Sequence, residues 1–512
     1  MADLKLPFAL ADESLCRPGC LINGQVLDAK SGKRFHVIDP GTGTPWISCP
    51  DCSGLDVDAA VQSSHQAFQE YSKWTPRRRA QCISKWHHLI VAARQDLATM
   101  LVYETGKPLA EARAEIDYAT SFTWWFVGEA ERAHGHCIVS AVPGRRAVTI
   151  KQPVGVAAAL VPWNFPVALA LRKMAAALAA GCTMVVKPSP ETPITALAVS
   201  HLALRAGFPS GTLNVVTTSL DNTPAVAEAL CLHPLVRTVT FTGSTRVGKI
   251  ISSLCAANLK KSTLELGGNC PFVVFDDANP DQALEQLMAL KWRHAGQACI
   301  SANRLYLQRG MHDSFVERLA SRTAGLKVGH GMAGGTTMGP VTTPRGLDKA
   351  EAMAKDALSR GAKLVLGTGL RAHSEGGYFL NPTILAGVTD DMLMSQDEIF
   401  APLLGVSVFD TEDEVVERAN NTSMGLASYV FTKNVDRLWR MFEKLEAGMI
   451  GLVRTDSSPR SLYPSPPVRS APPSVASWTH QHLHGADLAT HPRSPPSFRA
   501  AARLANQWLS PS

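Results

Sequence analysis

Three segments of the sequence carry side chains suited to covalent chemistry. GQACIS holds Cys299, and a thiolate is the strongest common side-chain nucleophile near neutral pH. LELGG places Glu265 at a strand end before two glycines, where a carboxylate can act as a general base. VPWNFP holds Asn164 in a proline-bracketed bend, where a rigid amide can donate to a developing oxyanion. These residue types suit nucleophilic catalysis.

Each of these residues also has a plain structural interpretation. The chain has 11 cysteines, and any one of them is more often a buried structural thiol than a nucleophile. Glu265 could be a surface carboxylate at a turn, and Trp163 and Asn164 could serve packing. Taken singly, none of the three segments is specific.

Two further segments suit a phosphate-bearing cofactor. FTGSTRVGK follows an apolar run and opens a helix, so Gly243 allows a tight turn and Ser244 can donate to a pyrophosphate beside the helix N-terminus. Lys187 ends a strand in VVKPSPETP and can donate to ribose or phosphate oxygens. The alternatives are a helix cap after a glycine and a solvated strand end, because the full dinucleotide fingerprint is absent.

The elements that must position these residues alternate between strand and helix. Residues 57–135 predict mostly helix, and two short runs around AVPGRR predict a hairpin. From residue 153, short apolar runs alternate with helices of about ten to fifteen residues, which is typical of a parallel α/β sheet. A second α/β series spans 270–433. We therefore expect a domain boundary near Glu265–Gly268.

Composition limits the class of protein. A chain of 512 residues is too long for a single hydrophobic core, so two or three domains are expected. Its content of 45% hydrophobic and 18% charged residues is ordinary for a soluble globular protein. The net charge of +6 comes without a basic run interleaved with aromatics, so nucleic acid is not an expected partner. No apolar stretch is uninterrupted enough to span a membrane. The scattered cysteines favour a reducing compartment, and we interpret the single CxxC of Cys49 and Cys52 as incidental.

Both ends of the chain carry expectations of their own. The first residues lack a secretory pattern, so we expect a cytoplasmic protein, with a mitochondrial location left open. Residues 453–512 are rich in Pro, Ser, Arg and His and poor in acidic residues. Such a composition does not bury enough apolar surface to offset the ordering entropy, so we expect this tail to be disordered.

In this order and combination, the motifs resemble those of the NAD(P)-dependent aldehyde dehydrogenase superfamily. The resemblance covers the chain as far as Leu452 and rests on ETGKP, PWNFP, AGCTMVVKP, GFPSGTLNVV, FTGSTRVGK, LELGGN, GQACISANR, NPTIL, EIFAPLLGV and GLASYVFT. It implies an α/β fold with a Rossmann-type cofactor domain and an α/β catalytic domain. The implied NAD(P)-binding domain is 1–134 with 153–265, the oligomerisation hairpin is 135–152, and the catalytic domain is 266–452.

The resemblance also implies a role for each site residue. Cys299 would attack an aldehyde to give a thiohemiacetal, Asn164 and the Cys299 backbone N–H would bind the oxyanion, and Glu265 would activate the water that hydrolyses the thioester. The cofactor would be NAD or NADP, and no metal is needed because the cofactor supplies the redox chemistry. The residues implied at the cofactor are Trp163, Lys187, Gly243, Ser244, Glu398 and Phe400.

RKMAAALAAGCTMVVKP and KWRHAGQACIS resemble the succinate-semialdehyde dehydrogenase branch. Arg172 and Arg293 match two arginines that bind the substrate's distal carboxylate in that branch, and a guanidinium can bind both oxygens. Alternatively, Arg172 pairs with a carboxylate of the protein, or the substrate is another aldehyde such as glutarate semialdehyde. Ser301 stands where some members have a second cysteine, so we expect no disulfide switch there.

Cofactor preference depends on the third residue after Lys187. NAD-preferring members commonly have a glutamate there, whereas this chain has Pro190, which neither accepts from a ribose hydroxyl nor repels a 2′-phosphate. Glu191 would favour NAD instead if its carboxylate can reach the ribose 2′-hydroxyl. We expect that NADP is tolerated.

The sequence departs from the family after Leu452. No PFGG-type segment and no closing strand follow, so we expect one wall of the substrate pocket to be missing and the hairpin to lack its intersubunit partner. A shifted reading frame or misassigned exon is our hypothesis, which transcript sequencing across the codons for 445–460 would test. The leading prediction is an active dehydrogenase, and homodimers or homotetramers would be impaired by the tail. The rival is a catalytically impaired nucleotide-binding relative.

Overall fold

A computed structural model of the chain describes residues 6–372 and 376–454. The strands in the described residues are β1 (Cys20–Ile22), β2 (Gln25–Leu27), β3 (Arg34–Asp39), β4 (Thr44–Pro50), β5 (Cys137–Val139), β6 (Arg146–Val148), β7 (Val156–Leu160), β8 (Thr183–Lys187), β9 (Leu213–Val215), β10 (Val236–Thr242), β11 (Lys261–Glu265), β12 (Cys270–Val274), β13 (Ala302–Gln308), β14 (Lys363–Leu366), β15 (Thr383–Ala386), β16 (Leu403–Phe409), β17 (Ala427–Thr432) and β18 (Met449–Arg454).

The α-helices of the same residues are α1 (Gly54–Tyr71), α2 (Pro76–Ala92), α3 (Arg94–Thr105), α4 (Leu109–Glu129), α5 (Pro166–Ala180), α6 (Pro193–Ala206), α7 (Thr223–Leu232), α8 (Thr245–Ala256), α9 (Pro280–Lys291), α10 (His312–Ala324), α11 (Pro344–Ser359), α12 (Leu393–Gln396), α13 (Glu412–Asn420) and α14 (Val435–Lys444). The predicted α/β class is confirmed. β18 runs to Arg454, slightly past Leu452, and the predicted tail from residue 455 onward lies outside the described residues.

The first large sheet has the order β11-β10-β7-β8-β9-β1-β2 over the described residues. Strands β7 to β11 run parallel, with α5 to α8 between them in the chain. β7 and β8 are buried along their whole length, which is why they appear in the sequence as continuous apolar runs. β1 and β2 add to the sheet in antiparallel fashion, and the sequence patterns did not predict them.

The second large sheet has the order β14-β15-β16-β13-β12-β17-β18 in the described part of the chain. All its neighbouring strands are parallel except β14, which runs antiparallel to β15. The chain passes from the first sheet to the second between Glu265 and Cys270. The predicted division into domains near Glu265–Gly268 stays a prediction.

Helix α5 shows how the sequence forms the layer against the first sheet. Pro166 occupies its first turn, where a missing N–H costs nothing, and Gly181 ends it with a φ of +86°. Its alanine-rich body is buried on nearly every side, so backbones can approach closely. The helix therefore holds the bend that precedes it, residues 161–165, rigidly at the sheet edge.

Strands β5 and β6 form the predicted hairpin, pairing with each other from Cys137↔Val148 to Val139↔Arg146. Every residue of both strands is exposed, including Ile138. Its predicted role in assembly stays a prediction.

All 11 cysteines lie within the described residues and are unbridged. The Cys52 thiol lies 3.4 Å from that of Cys20. No described helix is long and apolar enough to cross a membrane, and the same residues contain no cluster of three metal-ligating side chains.

Candidate active site

The predicted site residues follow the carboxyl ends of neighbouring parallel strands. Leu160 at the end of β7 lies in register with Lys187 at the end of β8, and Thr242 of β10 is in register with Glu265 of β11. Segments that leave such strand ends meet at one edge of the sheet, which is where open α/β sheets bind ligands. The bend holding Asn164 follows β7 along the chain.

Cys299 reaches this edge from the second sheet, on the segment that precedes β13. A turn aims that segment: His294, Ala295 and Gly296 have φ values of 49°, 51° and 74°. A Cβ on Gly296 would lie 2.3 Å from the Ala401 carbonyl oxygen, so only glycine fits. The sequence patterns indicated no left-handed turn at His294 and Ala295, which are neither glycine nor asparagine.

The Cys299 thiol is surrounded by four predicted charged residues. The pKa of the Cys299 thiol is raised to about 11: burial and the charges of Glu398 and Glu265 raise it, while Arg172 and Arg293 lower it. These opposing effects place all four side chains within electrostatic range of one sulfur atom. The fold therefore brings together residues that are far apart in the sequence.

Asn164 lies beside the nucleophile's loop. Its side chain is 4% exposed, and its Nδ2 donates to the Gln297 carbonyl oxygen at 3.1 Å, two residues before Cys299. Its own carbonyl oxygen accepts from Lys107 Nζ at 2.9 Å. The amide is thus a rigid donor held against the segment that carries the thiol, which is the arrangement an oxyanion site needs.

Glu265 ends β11 with an exposed side chain. Its backbone oxygen accepts from Gly243 N at 3.1 Å, so this strand end and the α8 loop are joined. An exposed carboxylate within range of the Cys299 thiol can exchange protons with water and with that thiol.

Glu398 approaches the glycine pair of LELGG. Its Oε1 accepts from Gly268 N at 3.1 Å, and burial raises the pKa of the Glu398 carboxyl to about 7. A Cβ on Gly267 would lie 2.6 Å from Glu398 Oε2. The two glycines therefore make room for a carboxylate that can accept from ligand hydroxyls.

The loop before α8 offers unused polar groups to a ligand. Thr242 Oγ1 is buried without a hydrogen-bond partner among the described residues. Ser244 caps α8 by accepting from Val247 N at 3.4 Å, and a Cβ on Gly243 would lie 2.5 Å from the Phe241 ring. Free donors at a helix N-terminus beside a close backbone turn fit a pyrophosphate.

Lys187 ends β8 at the same edge of the sheet, in register with Leu160 of β7. Its side chain is 4% exposed, its Nζ donates to the Pro188 carbonyl oxygen at 3.0 Å, and burial lowers the pKa of its amine to about 8. Nearby, Glu191 accepts from Arg345 at 3.0 Å and from Ser189 at 2.5 Å. The donor set suits a nucleotide ribose, and the Glu191 carboxylate is already engaged.

Two predicted aromatic residues face each other across the site. The rings of Trp163 and Phe400 are 5.4 Å apart and nearly perpendicular. Phe400 has a φ of 54°, an unfavourable conformation for a bulky residue that is found most often at functional sites.

The two predicted substrate arginines have no carboxylate partner in the described residues. Arg172, on α5, donates to the Tyr118 hydroxyl at 2.7 Å and stacks 4.6 Å over Phe122, and its Nε is buried without a partner. Arg293 is exposed and lies 5.1 Å over Phe165. No carboxylate of the described residues pairs with Arg172, so two cations are available beside the thiol.

Sequence reasoning missed the buried charges under the site. Lys107 and Glu115 form an ion pair in which each side chain is 1% exposed. Lys173 donates to Thr240 Oγ1 at 2.9 Å, and burial lowers the pKa of its amine to about 7. A charged residue within an otherwise apolar helical run, as in MAAAL after Lys173, was the available signal.

Two α/β sheets with a thiol at the edge between them define a class of protein. Comparison with known proteins identifies that class. Residues 26–463 match the profile described as "Aldehyde dehydrogenase family", past the limit of the resemblance at Leu452. The chain belongs to the aldehyde dehydrogenase family, whose members are oxidoreductases that act on aldehydes with NAD(P).

Individual relatives are similar over most of their length. The chain is 44% identical to the 3-sulfolactaldehyde dehydrogenase of Pseudomonas putida, over 86% of this chain and 90% of that protein. It is 43% identical to the NADP(+) succinate-semialdehyde dehydrogenase of Escherichia coli (strain K12), over 86% and 91%. A crystal structure of an aldehyde dehydrogenase from Brucella melitensis biovar abortus 2308 has a TM-score of 0.85 and 45% identity, covering 88% of this chain and 91% of that one.

Proposed function

We propose that this protein oxidises an aldehyde with a distal anionic group, succinate semialdehyde above all, to the carboxylate with NAD or NADP. The observation that carries the substrate class is the pair Arg172 and Arg293. Both guanidinium groups lower the pKa of the Cys299 thiol, and neither is neutralised by a carboxylate among the described residues. Unpaired cations beside a nucleophile favour a substrate that brings its own anion.

Cys299 is the proposed nucleophile. Its raised pKa keeps it a thiol at neutral pH, so a base must take its proton before attack. Glu265 is the exposed carboxylate within electrostatic range of the thiol. The thiolate then adds to the aldehyde carbon to form a thiohemiacetal, whose oxyanion accepts from Asn164 Nδ2 and the Cys299 backbone N–H.

The proposed cofactor residues are those whose groups fit a dinucleotide. Lys187 would bind the adenosine ribose, Ser244 and Gly243 would contact the pyrophosphate, and Glu398 would accept from the nicotinamide ribose. Trp163 and Phe400 would border the nicotinamide. When bound, NAD(P) would supply the hydride acceptor for oxidation of the thiohemiacetal to a thioester on Cys299.

Glu265 completes the cycle. Once the proton taken from Cys299 has passed to solvent, the Glu265 carboxylate takes a proton from water, the hydroxide adds to the thioester carbon, and the C–S bond breaks to release the acid, whose proton returns to the Cys299 thiolate. The products are the carboxylate and the free Cys299 thiol.

The candidate substrates all carry an aldehyde group and a distal anion. Glutarate semialdehyde is one methylene longer, and 3-sulfolactaldehyde, the substrate named for one relative, replaces the carboxylate with a sulfonate. An arginine pair binds either anion, and one methylene is worth only about 1–3 kcal/mol in selectivity. We therefore rank succinate semialdehyde first and these two after it.

Cofactor choice follows from the surroundings of Lys187. Pro190 offers no acceptor to a ribose 2′-hydroxyl, and the Glu191 carboxylate is held by Arg345 and Ser189. A 2′-phosphate thus meets little repulsion, so we propose that NADP is used as well as NAD.

Steady-state kinetics of the purified full chain test this function. Reduction of NAD and of NADP is measured with succinate semialdehyde, glutarate semialdehyde and butanal, beside Cys299→Ala. We expect turnover of both acids with either cofactor, weak turnover of butanal, and none in the variant. Nucleotide binding without turnover would instead support the impaired relative.

Size-exclusion chromatography of the same sample tests the proposed assembly into homodimers or homotetramers.

A further inference from the structure

The first turns of α4 carry a set of charges beneath the active site. Lys107 lies two residues before the first residue of the helix, and Glu111 and Glu115 lie one turn apart on it. We call these three residues the α4 charge cluster. The ion pair of Lys107 and Glu115 is almost completely buried, and a buried pair is a costly way to gain stability, because both charges must be desolvated.

Two members of the cluster hold the bend that carries Asn164. Lys107 Nζ donates to the Asn164 carbonyl oxygen at 2.9 Å and lies 4.3 Å over the Phe165 ring. Glu115 Oε1 accepts from the backbone N–H groups of Val167 at 3.0 Å and Ala168 at 3.2 Å. The bend is therefore fixed both at Asn164 and at the start of α5.

The third member holds the loop that leads to Cys299. Glu111 Oε2 accepts from His294 N at 2.7 Å, at the start of the left-handed turn. Gln297 then donates to the His294 carbonyl oxygen at 2.9 Å and accepts from Thr342 N at 2.9 Å. One helix end therefore contacts both loops, and the bond from Asn164 to Gln297 joins the loops to each other.

We propose that Lys107, with Glu115 and Glu111, sets the position of the Asn164 amide relative to Cys299, so that the three are positioning residues for the oxyanion site. This inference rests on the proposed function. Lys107 touches no reacting atom and acts through Asn164. A displacement of a catalytic group by about 1 Å can lower the rate about a hundredfold. Loss of the contacts from Lys107 to the bend should therefore reduce turnover far more than it reduces substrate binding.

A double-mutant cycle in the full-length protein separates positioning from general stability. Lys107→Met, which keeps the side-chain length and removes the charge, should lower kcat about 10- to 100-fold with KM little changed. In the Asn164→Ala background the same substitution should change kcat less than about threefold, because the side-chain amide that Lys107 positions is already absent. Glu115→Gln, which retains an amide acceptor for Val167 N, should give a smaller kcat loss and keeps the test available if Lys107→Met folds poorly.

Arg79→Met is the matched control. Arg79 is also a buried cation that donates to backbone oxygens around α5, to Ala179 at 3.0 Å and to Trp74 at 2.6 Å, but it does so at the opposite end of that helix. It should lower the melting temperature and leave kcat of the folded fraction unchanged.

Crystal structures of the parent and of Lys107→Met give a readout that needs no activity. We expect the bond from Asn164 to Gln297 to be lost in the variant. An unmoved Asn164, or a kcat loss that is additive with Asn164→Ala, would overturn the inference. If the parent turns over no aldehyde, the proposed function fails, and the crystal structures still decide whether Lys107 positions Asn164.

Discussion

The side-chain amide of Asn164 is bonded at 3.1 Å to the carbonyl oxygen of Gln297, which joins the bend after β7 to the loop of the nucleophile. Removal of this donor should leave a developing oxyanion with a backbone N–H alone. We expect Asn164→Ala to lower kcat about 10²- to 10³-fold in steady-state assays.

Asn214→Ala is the control for the loss of a buried amide. Asn214 donates to Ser64 Oγ at 2.8 Å and to the Gly211 carbonyl oxygen at 2.9 Å, on the same sheet. It should reduce thermal stability and spare kcat. Equal kcat losses in the two variants would contradict an oxyanion role for Asn164.

Arg293→Gln and Arg172→Gln test recognition of the substrate's anion. Each removes a charged hydrogen-bonding group worth about 1.5–3 kcal/mol, so kcat/KM for succinate semialdehyde should fall roughly 10- to 100-fold. Butanal, which has no carboxylate, should lose much less, and only through the rise in the pKa of Cys299. Arg318→Gln, a change to an exposed arginine paired with Asp281, serves as control. Parallel losses on both substrates would argue against a substrate role.

The pH dependence of Cys299 alkylation tests the charges around the thiol. Because the pKa is raised to about 11, the rate with iodoacetamide should rise about tenfold per pH unit between pH 7 and 10. Glu398→Gln removes a charge that raises this pKa and should speed the reaction at pH 8. Arg293→Gln removes a charge that lowers it and should slow the reaction. Shifts in the opposite sense, measured by mass spectrometry on the Cys299 peptide, would refute this electrostatic arrangement.

Glu191→Gln should change cofactor preference. The substitution removes a carboxylate near Lys187 and frees Arg345, so the ratio of kcat/KM for NADP over NAD should rise about fivefold, which corresponds to about 1 kcal/mol of charge interaction near a surface. Glu228→Gln, on the exposed side of α7, should leave the ratio unchanged. An unchanged ratio in Glu191→Gln would mean that its carboxylate does not sense the 2′ position.

Much of the fold followed from pattern. Strands β7 and β8 are continuous, fully buried runs, and helices α5 to α8 are amphipathic or apolar helices of ordinary length, so local sequence specified them. β1 and β2 were missed because their place in the sheet depends on the pairing of Leu21 with the distant Val215, which no local pattern shows.

The residues of the site also divide into those that local sequence could predict and those that it could not. Cys299, Glu265 and Asn164 stand in short motifs with recognisable chemistry, so they could be named in advance. Lys107 and Glu115 could not, because their importance arises only when α4 packs against α5 and brings them beside residues some fifty positions away, at Asn164 and Val167.

The most direct test traps the covalent intermediate. In Glu265→Gln the general base is lost, so the incubation with NAD and succinate semialdehyde is run at about pH 9, where hydroxide can still deprotonate the Cys299 thiol, and a thioester should remain on the protein. Intact-mass and peptide mass spectrometry should find the mass of one succinyl group added at Cys299. The adduct should be absent without NAD and absent in the double variant with Cys299→Ala. Turnover by Cys299→Ala, or an adduct at another residue, would contradict the assignment of Cys299 as the nucleophile.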